Sequence, residues 1–214
     1  MLDNSFSTDG LVSTDVGAAT FDQGRPVAIQ DDGRIVVVGT TGYSKALDFG
    51  AARYLPDGTP DPEFSFNGVD LTSVVFGDDH ATCVVIQPDG KILIGGYGFC
   101  TEGNCFAMVR YLSDGTPDPD FGADGIVTTE ISGGYVLESK AIALQDDGKI
   151  LLAGGGNTGL RRGALFRRRN GRHGLRNRWP CHLRVQRGER PCQRDRGAAR
   201  WEDHPKRLCF RSGE

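Results

Sequence analysis

The sequence predicts an all-β fold. Three observations support this prediction: related segments recur about every 57 residues, each segment alternates short aliphatic runs with Gly- and Asp-rich turns, and no segment has helical periodicity. The chain has 214 residues, including 31 glycines and 10 prolines. Its repeats, more than its average composition, therefore determine the expected architecture.

The recurrence is clearest in three segments that share a turn glycine. VAIQDDGRIVVVG, VVIQPDGKILIGG and IALQDDGKILLAG place Gly33, Gly90 and Gly148 at intervals of 57 and 58 residues. Two aromatic sets recur with the same period: Tyr54 and Tyr111, and Phe6, Phe64 and Phe121. Agreement between separate positions indicates one repeating structural unit.

Each unit is expected to contain four strands. Residues 84–96 consist of two aliphatic runs around a polar turn that ends in Gly, which is typical of an antiparallel hairpin. FAMVRY (106–111) is a third strand, residues 114–125 are a connection, and IVTT (126–129) is a fourth strand. Four-stranded units repeated at a fixed length predict the blades of a partial β-propeller. A β-solenoid is the alternative, but its coils are much shorter.

Several motifs within these units carry a family resemblance. L-D-x-x-F-x-x-x-G (Leu2 to Gly10), Q-P-D-G-K-I (Gln87 to Ile92) and F-A-x-x-R-Y-x-x-D-G-T (Phe106 to Thr116) resemble the delta-60 repeat family, a bacterial propeller-like repeat of unknown function. The resemblance covers residues 2 to about 156. It implies a repeat of large, often exported or surface-associated bacterial proteins, and it brings no catalytic residues with it.

Charge divides the chain into two parts. Residues 1–159 contain 8 basic and 23 acidic residues, whereas residues 160–214 contain 17 basic and 5 acidic residues. We therefore predict a repeat region at residues 1–156, with about two complete blades and part of a third. Residues 157–214 form a basic tail that is expected to be disordered.

The tail is interpreted as an out-of-frame translation of a further repeat. Trp has the single codon TGG, so Trp179 before Pro180 and Trp201 before Glu202 each give a Gly codon when the frame moves by one base. With Trp179 aligned to Gly125, the shifted codons allow F-x-x-V-R-Y-x-x-D-G-T without a gap. The alternatives are a genuine basic domain and a chance match.

The tail offers two features that resemble binding sites. Its arginine-rich stretch, RRGALFRRRNGRHGLRNR, would bind phosphates without specificity, so no specific nucleic-acid partner is expected. Its potential zinc ligands have spacings that match no zinc finger or ribbon. These residues are Cys181, His182, Cys192, His204 and Cys209.

Acidic turns recur in the repeat region. Residues 114–125 hold four carboxylates, which could coordinate calcium through oxygen or could be solvated turn residues. The solvated turn is favoured, because Asp and Gly are common turn residues and the ligand spacing of a calcium loop is missing. The same interpretation applies to the turns Asp31-Asp32-Gly33 and Asp146-Asp147-Gly148.

One histidine and three cysteines remain in the repeat region. His80 is expected in a surface loop that leads into a strand, and a catalytic site around this isolated histidine is not expected. Cys100 and Cys105 flank a tight loop and are either bridged, if the protein is exported, or free. Cys83 is predicted to be a small buried side chain.

The sequence therefore nominates no catalytic, cofactor-binding or metal residue. We expect a non-enzymatic structural or binding module, a fragment of a larger exported or surface-associated bacterial repeat protein. Its expected partners are a protein or glycan at the propeller loops and further copies at open blade edges. A fragment of an enzyme with its active site in missing blades is the alternative. No membrane span is expected, and the N-terminus has no signal peptide pattern, so export is expected of the parent protein alone.

Overall fold

The structure, a computed structural model, describes residues 1–17, 21–43, 46–101, 103–130, 138–156 and 159–166. All regular structure in these ranges is β-strand, and none of it is a helix that could cross a membrane. The strands are β1 (Phe21–Ile29), β2 (Ile35–Tyr43), β3 (Ala46–Tyr54), β4 (Val69–Thr72), β5 (Asp79–Ile86), β6 (Ile92–Cys100), β7 (Gly103–Tyr111), β8 (Ile126–Thr129), β9 (Glu138–Leu144), β10 (Ile150–Gly156) and β11 (Gly159–Phe166).

These strands form three antiparallel sheets in chain order. The first sheet has the order β1-β2-β3-β4, the second β5-β6-β7-β8, and the third β11-β10-β9. The predicted all-β fold and the predicted four-stranded units are confirmed for the first two sheets. Each sheet is a meander of neighbouring strands, as short connections favour.

The hairpin turns follow from the repeated glycine. The N–H of Gly33 donates to the carbonyl of Gln30 at 2.9 Å, and Ile29 lies opposite Ile35 at the end of the ladder. Gly33 has a φ of 83°, a conformation that side chains with a Cβ rarely adopt. Gly90 and Gly148 repeat this turn with φ values of 79° and 77°.

The third sheet continues beyond the predicted boundary at residue 156. Strand β11 pairs with β10, with Phe166 opposite Ile150 and Gly159 opposite Gly156. The backbone groups of β10 need partners on that side, and a chain of non-proline residues supplies them whatever its side chains are. The tail from residue 167 onward, with its predicted disorder and its cysteines and histidines, lies outside the described residues.

The apolar core lies between the sheets. One buried cluster joins the first two sheets: Val36, Val38, Phe49, Ala51, Phe64, Ala81, Ile92, Ile94, Ala107, Val109 and Tyr111. A second joins the second and third sheets: Cys83, Leu93, Phe106, Met108, Phe121, Ile150 and Leu152. Full burial of a large apolar side chain stabilises a fold by about 1.5 to 3 kcal/mol. Each sheet therefore depends on its neighbours for stability.

Candidate functional site

A buried ion pair occupies the same position in each of the first two sheets. Arg53 Nε donates to Asp61 Oδ2 at 2.8 Å, and Arg110 Nε donates to Asp118 Oδ2 at 2.8 Å. Each Arg is the second-last residue of the third strand of its sheet, and each Asp lies eight residues later in the connection to the fourth strand. None of the four side chains is more than 4% exposed.

A second cation completes each pair from the neighbouring hairpin. Arg34 Nε lies 2.8 Å from Asp61 Oδ2, and Lys91 Nζ lies 3.0 Å from Asp118 Oδ2. Burial alone would raise the pKa of Asp118, but the Lys91 ammonium, a backbone N–H and the Arg110 guanidinium outweigh it and hold the pKa below 3.8. The pKa of Asp61 is lowered in the same way, so both carboxyls are ionised at neutral pH.

An aromatic ring links each ion pair to the next sheet. The guanidinium of Arg53 lies 4.8 Å from the centroid of the Phe64 ring, and that of Arg110 lies 4.3 Å from the Phe121 ring. Phe64 also packs on Gly115 in the second sheet, where a Cβ would lie 2.6 Å from the ring. The backbone beside the ring is joined as well, since Ser65 N–H donates to the Asp114 carbonyl at 2.8 Å.

Hydroxyl pairs make a second link between neighbouring units. Thr72, at the end of β4, lies 2.5 Å from the Tyr111 hydroxyl of the second sheet. Thr14 makes the equivalent bond with the Tyr54 hydroxyl at 2.7 Å. The N-terminal segment therefore meets the first sheet as β4 meets the second.

The acidic turns have two structural uses. Asp114 Oδ1 accepts the backbone N–H of Thr116 at 2.9 Å and stays exposed, as expected of a turn residue. The interpretation of Asp118 as a solvated turn residue was wrong, because it is 1% exposed and paired with two cations. Asp32 and Asp147 are about half exposed and pair with the basic residue two positions later. The described residues contain no group of three or more His, Cys, Asp or Glu side chains that could hold a metal ion.

His80 was predicted in a loop, and this prediction was wrong. It lies in β5 opposite Tyr97, because the strand starts one residue earlier at Asp79. The two rings stack with their centroids 4.9 Å apart, and Nδ1 lies 3.4 Å from Thr40 Oγ1 of the first sheet. Burial lowers the pKa of His80 below 6.5, so the imidazole is neutral at pH 7.

A cleft of about 310 Å³ opens beside this histidine. It combines aromatic rings with a carboxylate and an amide, and its lining residues include no Lys or Arg. The lining residues are Gly77, Asp78, His80, Tyr97, Phe99 and Asn104. Phe99 is 61% exposed, so its ring is open to a ligand.

Asp79, next to the cleft residues, is a buried carboxyl with one unsatisfied oxygen. Its Oδ2 accepts the N–H groups of Val74 and Val75 at 2.7 and 3.0 Å, whereas Oδ1 has no hydrogen-bond partner. In the first sheet the equivalent Asp22 Oδ1 accepts the Thr41 hydroxyl at 2.5 Å. In the first sheet the residue opposite Asp22 is Thr41, whereas in the second sheet the residue opposite Asp79 is Gly98. Burial raises the pKa of Asp79 to about 6.

The cysteines fall into two groups. Cys100 and Cys105 form a disulfide at the end of the β6–β7 hairpin, with their Cα atoms 5.7 Å apart. This settles the alternative that the sequence left open. Cys83 is buried as predicted, and burial raises the pKa of its thiol to about 11. It is therefore an unreactive thiol at neutral pH.

Comparison with known proteins identifies the architecture. A family model described as "Domain of unknown function (DUF5122) beta-propeller" matches residues 30–64 and 87–121. Each matched segment runs from a hairpin turn through the Arg–Asp pair to the following Phe. The repeat region is a partial β-propeller. Its sheets are blades, and the described contacts between them are blade junctions. No curated protein matches the chain.

Sequence reasoning had missed the residues that build these junctions. Arg53 and Asp61 recur as Arg110 and Asp118 with the same spacing of eight residues. A basic and an acidic residue that recur together at the repeat period were the available signal. The cleft had no such signal, because its lining comes from β5, β6, β7 and the segment before β5.

Proposed function

We propose that this chain is a non-enzymatic propeller module of the delta-60 type, belonging to a larger exported or surface-associated bacterial repeat protein, and that the His80 cleft binds a glycan. The observation that supports this most strongly is the structural use of the repeated charged residues. Arg53, Asp61, Arg110 and Asp118 neutralise one another inside the blades. Residues that recur in the first two units thus serve the scaffold, and the residues of the cleft do not recur in the same way.

The chemistry of the cleft favours a neutral sugar. Sugar rings have one apolar face that stacks on aromatic side chains and hydroxyls that bond to polar groups at the ring edge. Phe99 and Tyr97 provide aromatic surface, and Asp78 provides a carboxylate that accepts hydroxyl hydrogens. The lining has no Lys or Arg, and its His80 is neutral at pH 7, which argues against a phosphate or a sulfated ligand. A volume of about 310 Å³ is at the lower end of the range for ligand sites, and it suits one or two sugar rings.

The disulfide supports an exported parent protein. Cys100 and Cys105 are bridged beside the cleft, and disulfides persist mainly in oxidising compartments. The bridge also fixes the end of the β6–β7 hairpin, which carries Phe99 and Asn104.

Binding of the full chain to an array of neutral oligosaccharides tests the proposal. We expect at least one glycan to bind and Phe99→Ser to weaken that binding at least about tenfold, as loss of an aromatic anchor does. Phe66→Ser is the matched control, because Phe66 is 78% exposed in the first blade and does not line the cleft. Absence of glycan binding, or equal effects of the two substitutions, would contradict the proposed function.

A further inference from the structure

The N-terminal segment has the sequence position of a blade's fourth strand. Residues 11–14 (LVST) precede Val69–Thr72 of β4 by 58 residues, and the same position in the next unit is Ile126–Thr129 of β8. In the structure, residues 11–15 are not part of a strand. A segment with the sequence of a fourth strand therefore has no third strand beside it in the described part of the chain.

Comparison of two threonines shows that this junction is half formed. Thr72 pairs with Phe49 in its own blade and bonds to Tyr111 of the following blade. Thr14 makes the second contact, with Tyr54 of the following blade, and has no strand partner among the described residues. The preceding blade, which would pair with Thr14 as β3 pairs with Thr72, is the component that the junction requires.

The third blade has the complementary incomplete edge. Its described strands are β9, β10 and β11, and β11 occupies the place of β3 and β7. In the described part of the chain, β11 pairs with β10 on one side and has no strand on its other side. This outer edge is the position that β4 and β8 occupy in the first two sheets.

An exposed apolar face accompanies the incomplete junction. Val84 and Ile86 of β5 pack against the first blade, and their equivalents Ile142 and Leu144 of β9 pack against the second. In β1 the equivalent side chains, Val27 and Ile29, are 61% and 69% exposed. The first blade thus presents the surface that the other two blades bury against a preceding blade.

We propose that two copies of this chain associate head to tail, so that the third blade of each copy covers the Val27 and Ile29 face of the other. Residues 11–14 of one copy then add to β11 of its partner as an antiparallel fourth strand. The pairing of β7 with β8 sets the register: Leu11 lies opposite Ala164, and Thr14 lies opposite Arg161. Three blades from each copy give six, within the four to eight blades of closed propellers.

The proposed dimer does not depend on glycan binding by the cleft. Its interface would repeat the two blade junctions already present, each of which joins the same faces of successive units. In a longer parent protein the same face would meet a blade of that protein. A second copy of this chain offers a blade of the same type.

Sedimentation of the full chain over a concentration series tests the proposal. We expect a dimer, and we expect Val27→Asp/Ile29→Asp to weaken dimerisation at least about tenfold through two buried charges. Both side chains are largely exposed in the single chain, so its fold should tolerate the substitutions. Phe76→Asp is the control, since Phe76 is fully exposed elsewhere. A monomer at every concentration, an open-ended polymer, or a dimer unaffected by the double substitution would overturn the proposal.

Cross-linking checks the register without relying on loss of association. Chains with Leu11→Cys are mixed with chains with Ala164→Cys and oxidised, and the linked peptides are mapped by mass spectrometry. We expect a disulfide between positions 11 and 164 of different chains, and none when Ser5→Cys replaces Leu11→Cys. A dimer that forms no link between positions 11 and 164 would overturn the proposed strand exchange.

Discussion

Arg110 Nε lies 2.8 Å from Asp118 Oδ2, and the two side chains are 4% and 2% exposed. Removing the carboxylate would leave the Arg110 guanidinium buried without its counter-charge. It would also remove the ion pair between Asp118 and Lys91. We expect Asp118→Asn to lower the free energy of unfolding by about 3 kcal/mol, measured by denaturant titration. Asp120→Asn is the control, because Asp120 is exposed in the same turn, and it should change stability by less than about 0.5 kcal/mol.

Two turn glycines should differ in how they tolerate alanine. Gly115 has a φ of 86°, and a Cβ there would lie 2.6 Å from the Phe64 ring and 2.8 Å from Ser65 N. Gly90 has a φ of 79°, but its nearest neighbour would be Ser113 Cβ at 3.7 Å. Gly90→Ala should therefore cost about 1 kcal/mol from backbone strain alone, and Gly115→Ala clearly more. Equal losses in thermal unfolding would show that Phe64 does not pack on this turn.

Stability should fall as pH rises through the titration of Asp79. Its pKa is about 6 in the folded chain and ordinarily 3.8. The unfolded chain therefore loses this proton first, and stability declines between about pH 4 and pH 6 and stays lower above, by up to about 3 kcal/mol. Asp79→Asn should remove this decline, whereas Asp78→Asn should preserve it. A pH profile that is unchanged in Asp79→Asn would contradict the assignment.

Asp61 and Asp118 act in the opposite direction at lower pH. Their folded pKa values lie below 3.8. Their contribution is therefore complete above that value and is lost as pH falls through the folded pKa values. The two effects occupy separate windows, and stability should be greatest near pH 4.

The coding DNA should show whether the tail is a shifted repeat. With Trp179 aligned to Gly125, Ala164 and Arg172 fall at the sequence positions of Arg110 and Asp118. When the frame moves by one base, Ala164 can become Arg, and Arg172 becomes Asp if its codon ends in A. We expect that base in Arg172, and also in the codons of Arg168, Arg178, Arg190 and Arg200. Arg169 and Arg176 should end in G, which restores Gly. Random third bases would contradict the frameshift.

The sequence was sufficient to predict the blades, but it did not predict the structural role of their charged residues. Gly33 and its equivalents require positive φ between aliphatic runs, and this local rule predicts the hairpins correctly. The burial of Asp118 depends on Arg110 of β7 and on Lys91 in the turn between β5 and β6, so the acidic turn alone suggested solvent or calcium. Likewise, Asp79 Oδ1 has no hydrogen-bond partner because the residue across the ladder is Gly98, whereas the residue across from Asp22 is Thr41. Such effects need the register of paired strands, which local sequence does not provide.

The most direct measurement of the central claim compares the unfolding of the parent chain and of Asp118→Asn, each in EDTA and in millimolar calcium chloride. If the repeated carboxylates stabilise the blades by pairing with Arg53 and Arg110, calcium leaves the parent chain unchanged, and Asp118→Asn shows the same deficit in both solutions. If calcium stabilises the parent chain, and the deficit of Asp118→Asn disappears in EDTA, these carboxylates are metal ligands and the structural account is contradicted.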